Sequence, residues 1–162
     1  MTIPLFRRSI LSALAAMPLG LFHPAVRAQD RLPLLTVWRD PNCGCCSGWL
    51  AHMRAAGFQV RDNVVASPAP ARRMLGIPDD LMSCHAAQVG GFALEGHVPA
   101  LAVKRLLEER PAAVRGIAVP GMPIGSPGME VSGQVPDVYD VIAFEHGRGR
   151  SVFMRFRGGE PL

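Results

Sequence analysis

The chain has 162 residues, four of them cysteine, and a formal net charge of +4. Residues 1–28 carry three of the 17 Lys and Arg residues and none of the 13 Asp and Glu residues, so the remaining 134 residues have a net charge of +1. This small charge gives no electrostatic reason to expect nucleic acid or an anionic membrane as a partner. A domain of 134 residues builds a hydrophobic core and folds without needing disulfide bonds.

The first 28 residues predict an export signal. Arg7 and Arg8 precede an apolar stretch, Ile10–Phe22, and the small-residue cleavage motif Val26-Arg27-Ala28. The apolar stretch is too short and too interrupted to be a membrane span. The paired arginines resemble a twin-arginine signal, and an ordinary secretory signal is the alternative. We therefore expect a periplasmic protein in which residues 29–162 form a single domain, with no stable membrane insertion after the signal is removed.

The first part of this domain predicts a β-α-β unit. An apolar run, Leu34–Arg39, is typical of a buried strand, and a second strand is predicted over Phe58–Val65. Between them, Ser47–Ala56 has apolar residues at helical spacing, and Gly57 follows as a helix-ending residue. Short connections between a strand, a helix and a strand favour parallel pairing of the two strands.

The rest of the chain predicts a further short helix, two hairpins and a long loop. Gly90-Gly91 is typical of a two-residue hairpin turn. In chain order, the predicted elements are the helix Pro68–Leu75, the hairpin strands Cys84–Val89 and Phe92–His97, the helix Ala100–Glu109, the strand Gly116–Val119, the loop 120–136, and the hairpin strands Tyr139–Glu145 and Ser151–Arg157. This order predicts an α/β, thioredoxin-like fold, in which helices flank a central mixed sheet with an inserted β-hairpin.

Three cysteines, Cys43, Cys45 and Cys46, lie between the first predicted strand and helix. A helix N-terminus favours thiolate over thiol, and thiolate is both a nucleophile and a ligand of soft metals. A bond between Cys45 and Cys46 would be strained, and a bond from Cys43 to either would close too small a loop to stabilise much. The spacing therefore argues against disulfides that staple distant segments.

Two chemical interpretations of the cluster stay open, and inert cysteines are the remaining alternative. Cys43 and Cys46 form a C-x-x-C pair, which beside a β-α-β unit is typical of a redox motif. The third thiol, Cys45, invites wrong disulfides in such a catalyst. Three neighbouring thiolates also repel one another, and a soft cation removes that repulsion. Since sulfur ligands select Cu(I), zinc or iron–sulfur clusters, the residues favour metal binding over redox exchange.

Cys84 is the predicted fourth ligand. If Gly90-Gly91 forms a two-residue turn, Cys84 lies opposite His97, with Cβ atoms roughly 5 Å apart. His85 would then point to the other face of the hairpin. We therefore rank His97 above His85 as a metal ligand or as a hydrogen-bonding partner of the ligands. A buried histidine satisfied by the backbone is the alternative for both.

The remaining candidates are weaker. His52 lies roughly 10 Å along the helix from Cys45, so we expect it at the surface, and His146 in a turn rich in Gly and Arg is expected to be solvated. Met122 and Met129 lie in the loop 120–136, and their thioethers offer a second, weaker copper position. Packing in the core is the alternative for these methionines.

Several motifs resemble the CopG-type family of exported metal-binding proteins. The likeness runs from about Leu34 to Phe156 and is carried by Trp38–Cys46, Ser83-Cys84-His85, Glu95–Pro99, Gly121-Met122-Pro123 and Gly125–Glu130. The resemblance implies a thioredoxin-like fold, a periplasmic location and a part in copper resistance. It also implies Cu(I) bound by the cysteines at positions 43, 45, 46 and 84, with a multi-copper thiolate cluster as one form.

The leading hypothesis is a periplasmic protein that holds Cu(I) on the four cysteine thiolates, with copper ions and other periplasmic copper-handling proteins as partners. The rival is an enzyme, a thiol–disulfide oxidoreductase or copper reductase that uses Cys43 and Cys46. A third interpretation is a zinc-stabilised interaction module, in which four sulfur atoms close a tetrahedral site. We expect zinc less than copper.

Overall fold

A computed structural model describes residues 32–162, in which eight strands form one mixed sheet. The strands are β1 (Leu35–Arg39), β2 (Val60–Val64), β3 (His85–Val89), β4 (Phe92–Glu95), β5 (Val114–Ala118), β6 (Val138–Glu145), β7 (Arg150–Arg157) and β8 (Glu160–Pro161). The helices are α1 (Gly44–Ala55), α2 (Ala69–Leu75) and α3 (Ala100–Glu109), with a 3₁₀ turn at Asp79–Leu81. The predicted export signal lies outside the described residues.

The sheet has the strand order β2-β1-β3-β4-β5-β6-β7-β8. Strands β1 and β2 are parallel, as the β-α-β pattern predicts, and β1 pairs antiparallel with β3. In the inserted hairpin, Ala86 faces Glu95 and Val89 faces Phe92, which is the register that a Gly90-Gly91 turn predicts. Both glycines have positive φ, 56° and 93°. The predicted mixed sheet with flanking helices is confirmed, and its thioredoxin-like class stays a prediction.

Helices cover both faces of the sheet. Side chains alternate along each strand, so both faces carry apolar residues that must be buried. On β3, Ala87 and Val89 belong to a large core that includes residues of α1 and α3, whereas Ala86 belongs to a smaller core with Ala71 and Leu75 of α2. Within residues 32–162, no helix combines the length and the apolar character needed to span a bilayer.

The predicted element boundaries lie within three residues of the observed ones. The largest shift is at α1, which begins at Gly44 rather than at Ser47. A turn before the helix explains this shift. The Asp40 side chain accepts a hydrogen bond from the amide of Asn42, and the backbone carbonyl of Asp40 accepts one from the amide of Cys43. The chain therefore enters the helix directly after Cys43. Strand β8 and the 3₁₀ turn are too short to show a periodicity in the sequence.

Candidate metal centre

Four sulfur atoms meet where β1 ends and where α1 and β3 begin. Cys43 is the N-cap residue of α1, Cys45 and Cys46 lie in its first turn, and Cys84 directly precedes β3. The end of β1 and the start of β3 are neighbours because these strands pair antiparallel, with Arg39 facing His85. The four Sγ atoms all lie within 4.8 Å of one another. This spacing suits several sulfur ligands around soft metal ions.

Two of the four sulfur atoms are already bonded to each other. Cys43 and Cys46 form a disulfide, and Cys45 and Cys84 are free thiols. The Sγ of Cys45 lies 3.6 Å from that of Cys43 and 3.8 Å from that of Cys84. The bond joins residues only three positions apart, so it does not link distant segments of the chain. The sequence does not predict this disulfide, because closing so small a loop adds little stability. In this form two cysteine sulfur atoms are available as metal ligands, and four become available only after reduction of the disulfide.

A hydrogen-bonded pair, Cys84 and His97, borders the sulfur atoms. The Sγ of Cys84 lies 2.9 Å from Nε2 of His97, and Nδ1 of His97 donates to the carbonyl of Pro127 at 2.8 Å. Burial, and next the nearby Cys45, raise the pKa of the Cys84 thiol to about 11. Burial also lowers the pKa of His97. Both shifts favour a neutral pair, in which the thiol donates to the lone pair on Nε2.

His85 lies beside His97, although regular alternation predicted it on the opposite face of the hairpin. The two ring centroids are 5.3 Å apart in a T-shaped arrangement. The regular pairing of the hairpin ends at Glu95, and Gly96 then adopts a φ of +74°, which only glycine tolerates readily. This bend removes His97 from the alternation of β4 and brings it to the side of His85.

The imidazole of His85 is fully buried and lacks a hydrogen-bond partner for either ring nitrogen among the described residues. Its ring centroid lies 4.3 Å from that of Trp49 on α1. Burial, and next the neighbouring His97, lower the pKa of His85 well below its ordinary value. The ring is therefore neutral, and one nitrogen carries a lone pair that receives no hydrogen bond from the described residues. The ligand atoms of Cys84, His85 and His97 lie within 4.8 Å of one another.

The comparisons with known proteins fit this geometry. A family model described as "Protein of unknown function, DUF411" matches residues 81–129, which include Cys84, His85 and His97. The solved structure "Copper resistance protein copG- Form 1" is 40% identical, with a TM-score of 0.72, and the match covers 78% of this chain and 99% of that one. For "Form 2" the values are 40%, 0.72, 77% and 98%. The chain belongs to the CopG family. Curated proteins gave no match.

In this CopG-family chain, a buried ion pair holds the residue before Cys84. The carboxylate of Glu95 is fully buried and accepts from Nε and Nη2 of Arg72 at 2.7–3.0 Å. The same carboxylate accepts from the amide of Ser83 at 2.7 Å, and Nη2 of Arg72 donates to the carbonyl of Ser83 at 2.7 Å. Sequence reasoning missed this network. Its signal is Glu95 itself, because a charged residue at the end of the apolar run Phe92-Ala93-Leu94 needs a buried partner.

The loop 120–136 reaches the metal centre through its backbone. The carbonyl of Pro127 receives the hydrogen bond from His97, and Gly128 packs against the first turns of α1. Met122 is 55% exposed and Met129 is half-buried, and their role as copper ligands stays a prediction. His52 is exposed and forms an ion pair with Glu130 at 2.7 Å, and His146 is also exposed, in accord with the expectations for both.

Proposed function

We propose that this protein holds Cu(I) on the thiolates of Cys43, Cys45, Cys46 and Cys84, and that it contributes to copper resistance in the periplasm. The observation that carries the proposal is the convergence of the four Sγ atoms within 4.8 Å of one another. Soft thiolate ligands favour Cu(I) over hard cations, and zinc is the weaker candidate. The similar solved structures are of a copper resistance protein, which supports copper as the cargo.

Loading of this site requires reduction of the Cys43–Cys46 disulfide. A dithiol reductant, which itself becomes a disulfide, supplies the two electrons and two protons that convert this bond into two thiols, and Cu(I) then displaces the thiol protons of all four cysteines. The number of Cu(I) ions bound per chain should therefore rise when the Cys43–Cys46 disulfide is reduced and fall when it forms. The fully buried Cys46 and the half-buried Cys84 would keep part of the sulfur cage away from water.

An anaerobic titration tests the proposal. Reduced protein, freed of reductant, is titrated with Cu(I) against a chromophoric chelator, while the thiolate-to-copper charge-transfer absorption is recorded. We expect copper binding with this absorption, and reduced stoichiometry in a Cys45→Ser, Cys84→Ser double variant. The oxidised wild type, with only two free thiols, is the matched control. An unchanged stoichiometry in the double variant would overturn the proposal, and preferential retention of zinc would replace copper with zinc.

The observed disulfide favours one further candidate function, a thiol–disulfide oxidoreductase or copper reductase. In its reduced form, the Cys43/Cys46 pair would release two electrons and two protons as the disulfide forms. The acceptor would be a substrate disulfide, which becomes two thiols, or two Cu(II) ions, which become two Cu(I) ions. Multiple turnovers with an added reductant, retained in Cys45→Ser and lost in Cys46→Ser, would establish this activity. A single stoichiometric reaction would exclude it.

The location and the fold class are also part of the proposal. The predicted signal over residues 1–28 supports export, and the strand order β2-β1-β3-β4, with the cysteines after β1, supports a thioredoxin-like class. Fractionation of cells that express the full chain should place the processed protein in the periplasm. An Arg7→Lys, Arg8→Lys variant separates the two export routes, because a twin-arginine signal depends strictly on both arginines. Retention of the wild-type protein in the cytoplasm would contradict export.

A further inference from the structure

We propose that Cys84, His85 and His97 form a second metal position, which binds one divalent ion of the zinc class while Cys43 and Cys46 are joined by their disulfide. This position shares Cys84 with the copper site of the proposed function and so deepens that function. It differs from the four-sulfur site in its donors, which are one sulfur and two imidazole nitrogens. Nitrogen donors of this kind suit divalent zinc and copper.

The three donors are close enough for one ion. Their ligand atoms lie within 4.8 Å of one another. A tetrahedral zinc ion with bonds of about 2.0–2.3 Å places its ligand atoms about 3.3–3.8 Å apart, so the wider separations need to close by about 1–1.5 Å at most. The Cys84–His97 pair, at 2.9 Å, opens slightly when the ion replaces their shared proton.

The orientation of His97 is that of a metal ligand. Its Nδ1–H donates to the carbonyl of Pro127, so Nε2 carries the lone pair and faces the Sγ of Cys84. Metal-binding histidines almost always donate their other ring N–H to a carbonyl, a carboxylate or water in this way. The tautomer that binds metal is therefore already selected by the backbone of the loop 120–136.

His85 provides an independent reason to place an ion here. The side chain is fully buried, and neither ring nitrogen has a partner among residues 32–162. An unsatisfied buried polar group costs about 1–3 kcal/mol, which is why buried histidines are normally bonded. An ion bound between His85, His97 and Cys84 would give one of these nitrogens a partner.

The redox state of the Cys43–Cys46 pair then decides which ion the centre prefers. In the disulfide form these two sulfur atoms are not thiolate ligands, and the mixed sulfur–nitrogen position remains. After reduction, four thiolates become available and the softer Cu(I) is favoured. The two positions compete for Cys84, so they are alternatives rather than additive sites.

The test uses oxidised full-length protein whose disulfide has been verified by mass. Zinc is titrated against a chromophoric chelator, and Co²⁺ replaces it as a spectroscopic probe. We expect one ion per chain, with sulfur-to-cobalt charge transfer and tetrahedral d–d bands. His85→Gln and His97→Gln should each weaken zinc binding by more than about 100-fold. Loss of a residue that only supports a ligand weakens metal binding by about 100-fold at most, so a larger loss identifies these histidines as ligands. His52→Gln, at an exposed histidine outside the metal centre, is the matched control and should leave the affinity unchanged.

Two outcomes would overturn the proposal: no zinc binding by the oxidised wild type, or wild-type affinity in His85→Gln. If that variant fails to fold, ¹⁵N shifts of the imidazoles in the wild type decide the question, since zinc must move the resonances of both His85 and His97. The Cu(I) titration of reduced protein is separate. Its failure with normal zinc binding would reject only the copper function, and the reverse result would reject only this second position.

Discussion

The backbone of Gly128 rests directly on that of Gly48, so that a Cβ atom on Gly48 would lie 2.9 Å from the Cα of Gly128. In the other direction, a Cβ atom on Gly128 would lie 2.7 Å from the carbonyl oxygen of Cys45. Side chains do not tolerate such distances, and glycine permits this close approach of two backbones. The contact fixes the loop 120–136 on α1 and thereby holds the Pro127 carbonyl near His97.

Replacement of Gly128 by alanine should therefore destabilise the protein and loosen the loop. Gly128 has a φ of +88°, which costs an L-residue roughly 1–2 kcal/mol, and the contact with α1 adds a steric penalty. We expect a lower free energy of unfolding in urea and faster alkylation of Cys84. Gly133→Ala is the matched control, because Gly133 also has a positive φ, +79°, but nothing lies within 4 Å of its added Cβ. Equal losses in the two variants would show that the contact with α1 contributes nothing.

The ion pair between Arg72 and Glu95 should be among the most sensitive features of the fold. Glu95→Ala leaves the Arg72 guanidinium without its buried partner and the Ser83 amide without an acceptor. Loss of one member of a buried pair typically costs about 3–5 kcal/mol. The measurement is the free energy of unfolding, from urea titrations followed by circular dichroism.

An exposed pair on the same sheet is the control for this prediction. Arg155 donates to both carboxylate oxygens of Asp140 at 2.6 and 3.0 Å, but the arginine is 56% exposed. Asp140→Ala should therefore change the free energy of unfolding by no more than about 1 kcal/mol. A loss of similar size in both variants would contradict the importance assigned to burial of Glu95.

The sequence predicts those features of the centre that depend on local pattern. The turn at Gly90-Gly91 fixes the register of β3 and β4, so the approach of Cys84 to His97 follows from counting residues. The side of His85 does not follow, because the positive φ of Gly96 interrupts the alternation on which the prediction rests. A single glycine can act as a flexible residue or as a bend, and the sequence pattern does not distinguish the two.

Other features depend on contacts between distant segments. Arg72 and Glu95 are 23 positions apart, and the sequence does not show which of several oppositely charged residues each one pairs with. The contact of Gly128 with Gly48 similarly forms only once the loop 120–136 is folded onto α1. For the disulfide, loop-closure entropy predicts that a Cys43–Cys46 bond stabilises little, but this entropy does not determine whether two nearby thiols become oxidised.

The Cys84 thiol should react slowly below pH 9 and gain reactivity up to about pH 11. Burial raises its pKa from 9.0 to about 11, so the thiolate fraction at pH 8 is about 100-fold lower than that of an ordinary cysteine. Iodoacetamide labelling of oxidised protein, resolved by peptide mass, measures the rate. Because the folded state binds this proton more tightly, the associated stability is present below pH 9 and is lost as pH rises through 11. Full labelling at pH 8 at the rate of free cysteine would contradict the shift.

The hydrogen bond from Trp49 to Val98 ties α1 to the segment that carries His97. Nε1 of the fully buried Trp49 donates to the carbonyl of Val98 at 2.8 Å. Trp49→Phe retains an aromatic ring beside His85 but leaves the buried carbonyl of Val98 without its donor. The unsatisfied carbonyl should lower the free energy of unfolding by about 1–3 kcal/mol, in addition to a smaller loss because phenylalanine buries less area than tryptophan. Trp38→Phe, at a half-buried site on β1, is the control.

The same substitution separates stability from metal binding. Trp49 supplies no ligand atom, so oxidised Trp49→Phe should still bind one zinc ion under conditions where the protein is folded, with an affinity within about tenfold of the wild type, the lower end for loss of a supporting partner. Loss of zinc binding together with an unchanged free energy of unfolding would show that the indole controls the position of His85 directly. A loss of stability with retained zinc binding is the expected result, because the bond to Val98 joins two segments and leaves the Nδ1 contact of His97 with Pro127 intact.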